Sequence, residues 1–233
     1  MRSFAAFDTR GYRTVSAREG YDRWAATYED TVEDGMDLAL LERLEVDWGG
    51  VGAVADLGCG TGRTGSWLAG LGVGEIDGVD LSPAMLAAAR ERGVYRSLRE
   101  GEVADTGFDP AAYDLVVACL VDEHLADLGP LYAEAARLAA SGARFALVGF
   151  HPHFIIASGM PTHFDDAESG EAVAIETHVH LLSDHVAAGL GAGLRLDALH
   201  ERVVDDEFLA RKPKWERFRG HPISFAFLWS RTP

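Results

Sequence analysis

The chain has 233 residues, 48% hydrophobic and 25% charged, which is a globular composition at a length that suits one domain. Its formal net charge of −16 opposes a phosphate backbone as partner, because nucleic-acid binding relies on Lys and Arg to neutralise phosphates. No apolar run is long enough to span a bilayer, and the start "MRSFAAFDTRGYRTVSAREG" is broken by arginines where a secretory segment would be apolar. With Cys59 and Cys119 the only cysteines, a reducing, cytoplasmic setting and a small-molecule partner are expected, with no nucleic acid and no membrane.

In chain order, helical patterns are predicted at 20–30 and 35–48, ahead of the first strand. Apolar strand-like runs follow at 51–58, 75–81, 94–100, 113–120 and 143–150. Between them "RTGSWLAGL", "SPAMLAAARER" and "LGPLYAEAARLAA" carry Ala, Leu and Arg at helical spacing, and Ser82-Pro83 supplies a cap followed by a proline at the first helical position. Alternation of this kind builds βαβ units around a parallel sheet. After Phe150 the pattern loosens until "LLSDHVAAGLGAGL", and then "RLDALHERVVDDEF" and "ISFAFLWS" read as a final pair of strands. The expected plan is one domain: a helical cap at 1–50, a core at 51–150, a lid at 151–195 and a closing strand pair at 196–233.

The loop "VADLGCGTGRTG" ends the first strand of the core with Gly58, Gly60 and Gly62. Glycines there let backbone approach a ligand, and the helix that follows offers free N–H groups. A dinucleotide fingerprint would need its third glycine one residue later, where Arg63 stands, which disfavours a nicotinamide-dependent oxidoreductase. The next strand ends in Asp80, a carboxylate suited to a ribose diol, so loop and acid together point to a nucleoside ligand.

On these residues the chain resembles the class I S-adenosylmethionine-dependent methyltransferases, in particular the ubiquinone/menaquinone-biosynthesis type. "YDRWAATYED" is similar to the family's N-terminal helix, "VADLGCGTG" and "GVDLSPAMLAAAR" to its first two motifs, "EGEVADTGFD" to its third, and "YDLVVACLVDEHLADL" to the strand and loop beside the methyl acceptor. The resemblance implies a Rossmann-like doubly wound α/β sheet of seven mostly parallel strands, the last antiparallel, with helices on both faces and an insertion at about 151–180 over the active site. It implies S-adenosyl-L-methionine as cofactor, with Asp56, Gly58, Cys59, Gly60 and Gly62 around the methionine portion. Asp80 and Leu81 would then lie at the ribose, Glu102 and Val103 at the adenine, Cys119 and Leu120 near the amine, and Tyr21 and Tyr28 closing over the cofactor. Glu102 stands where the family usually has Asp, and "TGF" replaces Leu-Pro-Phe.

Methyl transfer needs alignment above all, and a base only where the acceptor carries a proton. His124, in the loop after the fourth core strand, and His151, after the fifth, are the catalytic candidates, expected to face one cleft from adjacent strands. The stretch "ETHVHLLSDH" holds three of the chain's nine histidines. His178 and His180, with His153, are candidates to shape the acceptor pocket; the competing readings are the polar face of a strand and, with no clean ligand set, a metal site. No metal is expected. The run "RKPKWERFRG" places Arg211, Lys212, Lys214, Arg217 and Arg219 close together, as a solvated loop or as a receptor for an anionic group. The reading is O- or N-methylation of a small molecule by a monomer or homodimer; a catalytically silent cofactor-binding protein is the alternative.

Overall fold

The computed structural model describes residues 2–32 and 36–232. Among the described residues twelve strands follow one another: β1 Arg2–Ser3, β2 Arg13–Val15, β3 Ala53–Leu57, β4 Glu75–Asp80, β5 Ser97–Glu100, β6 Tyr113–Cys119, β7 Ala139–Phe150, β8 His163–Asp165, β9 Ala172–Ile175, β10 His178–Val179, β11 Leu194–Val203 and β12 Pro222–Arg231. The helices are α1 Ala17–Trp24, α2 Tyr28–Thr31, α3 Leu38–Leu41, α4 Arg63–Gly70, α5 Pro83–Arg92, α6 Gly129–Leu138, α7 Pro152–Ser158, α8 Leu182–Gly191 and α9 Asp206–Arg211.

Seven strands form one sheet in the order β11-β12-β7-β6-β3-β4-β5. The pairs from β7 to β5 are parallel, and β12 runs antiparallel to both β7 and β11. The last strand is therefore the one that runs against the others, as expected. Strands covered on both faces must be apolar throughout, and β3, β6 and β7 supply Val54, Leu57, Leu115, Val117, Phe145 and Leu147, all fully buried. Leu131, Tyr132 and Leu138 of α6 pack on one face with Val186 of α8; Leu40 and Leu41 of α3 and Leu68 of α4 pack on the other. Ser82 caps α5 through Met85 N at 3.1 Å, as the Ser-Pro signal predicts.

The predicted helix at 35–48 is reduced to the single turn of α3, its Gly35 lying outside the described residues. Beyond Leu41 the backbone bonds shorten to Arg43 N→Leu40 O and Leu44 N→Leu41 O, and this tighter winding keeps Leu40, Leu41 and Leu44 all buried against the sheet. The predicted strand at 195–208 stops at Val203, because Asp205 accepts from Phe208 N at 2.9 Å and starts α9. The segment after β7 is no loose connection. Its β9 pairs in parallel with β2 and antiparallel with β8, and β10 pairs with β1, so residues 151–180 are sewn to the N-terminal segment. No helix among the described residues is long and apolar enough to cross a membrane.

Helix α8 rests on Trp229 so closely that a Cβ on Gly189 would lie 2.5 Å from its ring, whereas one on Gly191 would meet nothing within 4 Å. Gly189→Ala is expected to lower the unfolding free energy by about 1–3 kcal/mol in urea titration through overpacking, and Gly191→Ala to leave it within about 0.5 kcal/mol.

Candidate active site

The carboxyl ends of the parallel strands meet at the glycine turn. Gly58, Gly60 and Gly62 all have positive φ, at 71°, 52° and 85°, a conformation that glycine adopts at little cost. Their surroundings differ. A Cβ on Gly58 would sit 3.0 Å from Val121, and one on Gly62 would sit 2.9 Å from Tyr95, so both are packed by protein, while one on Gly60 would enter open space. Asp80 accepts from Gly60 N at 2.7 Å and from Ser82 N at 2.9 Å, so one carboxylate ties the turn to the start of α5. Leu81 follows it into the turn, and its backbone N–H also favours the charged carboxylate. Burial raises the Asp80 pKa, which makes added hydrogen-bond donors welcome there. An exposed backbone face at Gly60 beside a ribose-competent carboxylate suits an adenosyl group.

Around this centre the implied residues divide. Val103 is buried against Gly58, whereas the Glu102 side chain is exposed. Asp56 is bound by Tyr95 Oη at 2.7 Å and pushed up to about 7 by burial, so it serves the packing behind the turn. Cys59 and Cys119 are held as thiols by burial. Leu120 has φ +55°, rare for a side chain of its kind, and donates its N–H to Val148 O at 2.7 Å. Strain of this sort persists where the surroundings enforce it, and the sequence carried no sign of it. Arg63, at the position where a dinucleotide fingerprint has glycine, forms a buried pair with Asp37 at 2.9 Å.

The N-terminal segment closes one side of the site. Ser82 Oγ donates to Asp22 at 2.6 Å, Arg92 pairs with Glu29 at 2.8 Å, and Thr61 donates to the same Glu29 carboxylate. These contacts hold Tyr21 and Tyr28 at the wall of a cavity of about 620 Å³ that also takes in Leu120 and Glu123 from the end of β6. Phe150, Phe154, Pro161, Phe164 and Trp215 extend it as an apolar, largely aromatic chamber.

His124 stands behind that wall. Its Nδ1 lies 2.8 Å from the Glu176 carbonyl, which only accepts, so Nδ1 carries the proton and Nε2 accepts from the Tyr21 hydroxyl at 2.9 Å. Burial lowers the His124 pKa and raises that of Tyr21 well above its ordinary value, so both are neutral at pH 7. Glu123, in contact with the cavity, is held well above the usual carboxylate range by burial and by Asp122 beside it. Its Oε2 is buried without a hydrogen-bond partner among the described residues.

The other histidines do not converge as expected. His151 faces away from His124: its Nδ1 accepts from His153 N at 3.1 Å as the cap of α7, and its Nε2 donates to Glu201 at 2.8 Å. Both ring nitrogens are spent outside the cavity. His153 pairs with His221 at 3.1 Å on the exposed side of α7. In "ETHVHLLSDH" His180 and His185 turn inward toward the β6 loop, and none of its three histidines lines the cavity. His180 donates to Leu125 O at 2.7 Å, His178 lies 3.6 Å from Glu176, and His185 sits between Tyr132 at 3.0 Å and Asp122 at 3.3 Å. No group of three or more His, Cys, Asp or Glu side chains among the described residues is arranged to hold a metal ion. The histidine that lines the cavity is His163, with Nδ1 donating to Pro161 O at 2.9 Å.

Residues 55–147 match the methyltransferase-domain family. The tocopherol O-methyltransferase of Arabidopsis thaliana is 33% identical over 101 residues, 41% of this chain and 29% of that protein, so the chain aligns with under a third of the relative's length. An S-adenosylmethionine-dependent methyltransferase from Mesorhizobium loti superposes with a TM-score of 0.66 at 22% identity, over 83% of this chain and 96% of that one. The DhpI–SAH complex superposes with a TM-score of 0.62 at 20% identity, over 91% and 94%. The domain match lies on the very strands that carry the glycine turn and Asp80, and the chain has the fold of these solved S-adenosylmethionine-dependent methyltransferases.

Proposed function

We propose that the chain methylates a hydroxyl oxygen of a small molecule seated in the aromatic cavity, with Tyr21 and His124 receiving the acceptor's proton. The observation that carries this reading is the oriented chain of contacts from Tyr21 Oη to His124 Nε2 at 2.9 Å and from His124 Nδ1 to the Glu176 carbonyl at 2.8 Å. S-adenosyl-L-methionine, when bound, supplies an electrophilic methyl group on a sulfonium. Asp80 would hold the ribose, the glycine turn would pass its backbone along the cofactor, and Leu120, its N–H bound to Val148 O, would present its carbonyl beside the amine.

Tyr21 occupies the junction of the two halves, within the electrostatic reach of both Asp80 and Glu123. Because its own proton is committed to His124, its oxygen lone pairs are what it offers to the cavity. An acceptor O–H can donate there, and as methyl transfer removes electron density from that oxygen the proton passes to Tyr21 while the Tyr21 proton passes to His124. The imidazolium so formed keeps its Nδ1–H on a carbonyl, which stabilises the cation. The protonated Glu123 carboxyl would donate to a second polar atom of the acceptor. Residues 151–180 act in this reading as the cover that keeps water out. Support for a hydroxyl acceptor comes also from the name of the curated relative, an O-methyltransferase over the matched core.

Asp80→Ala removes contacts to a charged group and should weaken S-adenosylhomocysteine binding by about 1.5–3 kcal/mol in calorimetry; unchanged affinity would take Asp80 out of the site. Tyr21→Phe and His124→Gln should each lower kcat by about 10²–10⁴-fold with cofactor affinity close to that of the parent. The parent's kcat should rise with pH through a limb below the ordinary histidine value of about 6.5, since burial lowers the His124 pKa and the neutral form is the active one, and then level off. His124→Gln should abolish that limb; a parent profile flat to acid pH would contradict the assignment.

A further inference from the structure

Asp122 and Glu123 are adjacent in the loop after β6 and are 3% and 2% exposed, and among the described residues neither pairs with a Lys or an Arg. The groups that reach them come from each neighbouring element. His124 Nε2 lies 3.6 Å from Glu123 on the same loop, His185 of α8 lies 3.3 Å from Asp122, and Thr162, ahead of β8, donates to Glu123 at 3.4 Å. His124 Nε2 already accepts from Tyr21, so it brings Glu123 no proton. One oxygen of each carboxyl, Asp122 Oδ1 and Glu123 Oε2, is buried with no hydrogen-bond partner among the described residues. Burial and the acid beside it hold the Glu123 pKa well above the usual carboxylate range, so Glu123 is protonated at pH 7.

Of the two acids, Glu123 is the one that borders the cavity. Tyr21 and Tyr28 both stand within its electrostatic reach, and with Trp24 they wall that end in rings whose centroids are 5.0, 5.9 and 6.2 Å apart. The donors of Tyr21 and Trp24 are spent elsewhere, Tyr21 Oη on His124 and Trp24 Nε1 on Thr31. A buried acid is thus set among aromatic rings and short of a donor. The cations that border the cavity come from other segments. Arg10, Lys214 and Arg217 are exposed, where water and salt screen them, and Lys212 has a partner of its own.

We infer that the methyl acceptor carries a basic nitrogen as well as its hydroxyl, and that it binds as an ammonium on the Glu123 carboxylate, against the rings of Tyr21 and Tyr28. This rests on the reading of the cavity as the acceptor site. A hydrogen bond from a charged donor is about twice as strong as one from a neutral donor, and aromatic rings attract cations. An ammonium therefore gains from the acid and from the rings, where an alcohol or an amide gains from the acid alone. Charge balances on binding: the ammonium enters, Glu123 releases its proton to solvent, and the buried site holds one cation against one new anion. A chain of net charge −16 also draws cations from long range. With the nitrogen fixed on Glu123, the acceptor's hydroxyl is left for Tyr21.

The test uses the whole protein with S-adenosylhomocysteine bound and three phenols that differ at one end: tyramine, the uncharged 4-propylphenol and the anionic 3-(4-hydroxyphenyl)propionate. At pH 7 tyramine should bind about tenfold or more tightly than 4-propylphenol, and the propionate should bind most weakly. Calorimetry in two buffers of different ionisation enthalpy should show release of about one proton with tyramine and none with 4-propylphenol. Glu123→Gln keeps the shape of the side chain and removes its charge. It should bring tyramine to within about twofold of 4-propylphenol and abolish the proton release, while an unchanged S-adenosylhomocysteine affinity reports a folded protein. Equal affinity of the parent for tyramine and 4-propylphenol, or a preference for tyramine that survives Glu123→Gln, overturns the inference. A parent that binds S-adenosylhomocysteine but none of the three phenols overturns it together with the reading of the cavity as the acceptor site. A parent that does not bind S-adenosylhomocysteine overturns the methyltransferase reading beneath both.

Discussion

A single hydrogen bond, Tyr21 Oη to His124 Nε2 at 2.9 Å, joins the two parts of the molecule whose relative placement makes a site. Tyr21 arrives on the N-terminal segment, which is fastened to the two ends of α5 by Asp22–Ser82 and Glu29–Arg92. His124 arrives on the loop after β6 and is fastened to the insertion by the Glu176 carbonyl. Three segments distant in sequence therefore agree on the position of one proton. Each end is a neutral group whose pKa burial moves away from ionisation, so the bond joins neutral partners that lack the attraction of an ion pair, and its direction is set by the carbonyl at the far side of the imidazole.

Behind that bond the protein tolerates an expensive arrangement. Asp122 and Glu123 are 3% and 2% exposed, adjacent in sequence, and each leaves one oxygen without a partner among the described residues. Buried acids with open hydrogen-bonding capacity cost stability and are kept where they face a ligand or a proton. His185, fully buried beside Asp122, and His180 on Leu125 O surround the same loop. The inward-turned histidines of 176–185 thus support the β6 loop from behind; the cavity itself is faced by Tyr21, Glu123 and His163.

The sheet and the glycine turn were legible because they are written locally. Apolar runs bounded by helical patterns mark β3, β4, β6 and β7, and a carboxylate at the end of β4 falls beside Gly60 once the two strands pair side by side, Leu57 opposite Val79. Side-chain direction at the far end of the chain is not written that way. Alternation along 173–180 correctly sends Val173, Ile175 and Val179 inward, yet His180 is buried as well, because α8 follows at once and carries the chain back over the β6 loop. His151 and His163 look equivalent in sequence, both following the fifth core strand. One spends its ring as a helix cap bonded to Glu201 and the other reaches the cavity, a difference decided by where β8 and β11 lie.

The central claim is that the cofactor lies along the glycine turn and the acceptor in the aromatic cavity, with Tyr21 between them. A crystal structure of the protein with S-adenosylhomocysteine tests this most directly. The account predicts ribose hydroxyls on Asp80, adenine beside Val103, and the thioether sulfur facing Tyr21 at the inner end of the cavity. Adenosine seated among Phe154, Trp215 and Lys214, or a sulfur turned away from Tyr21, would contradict it.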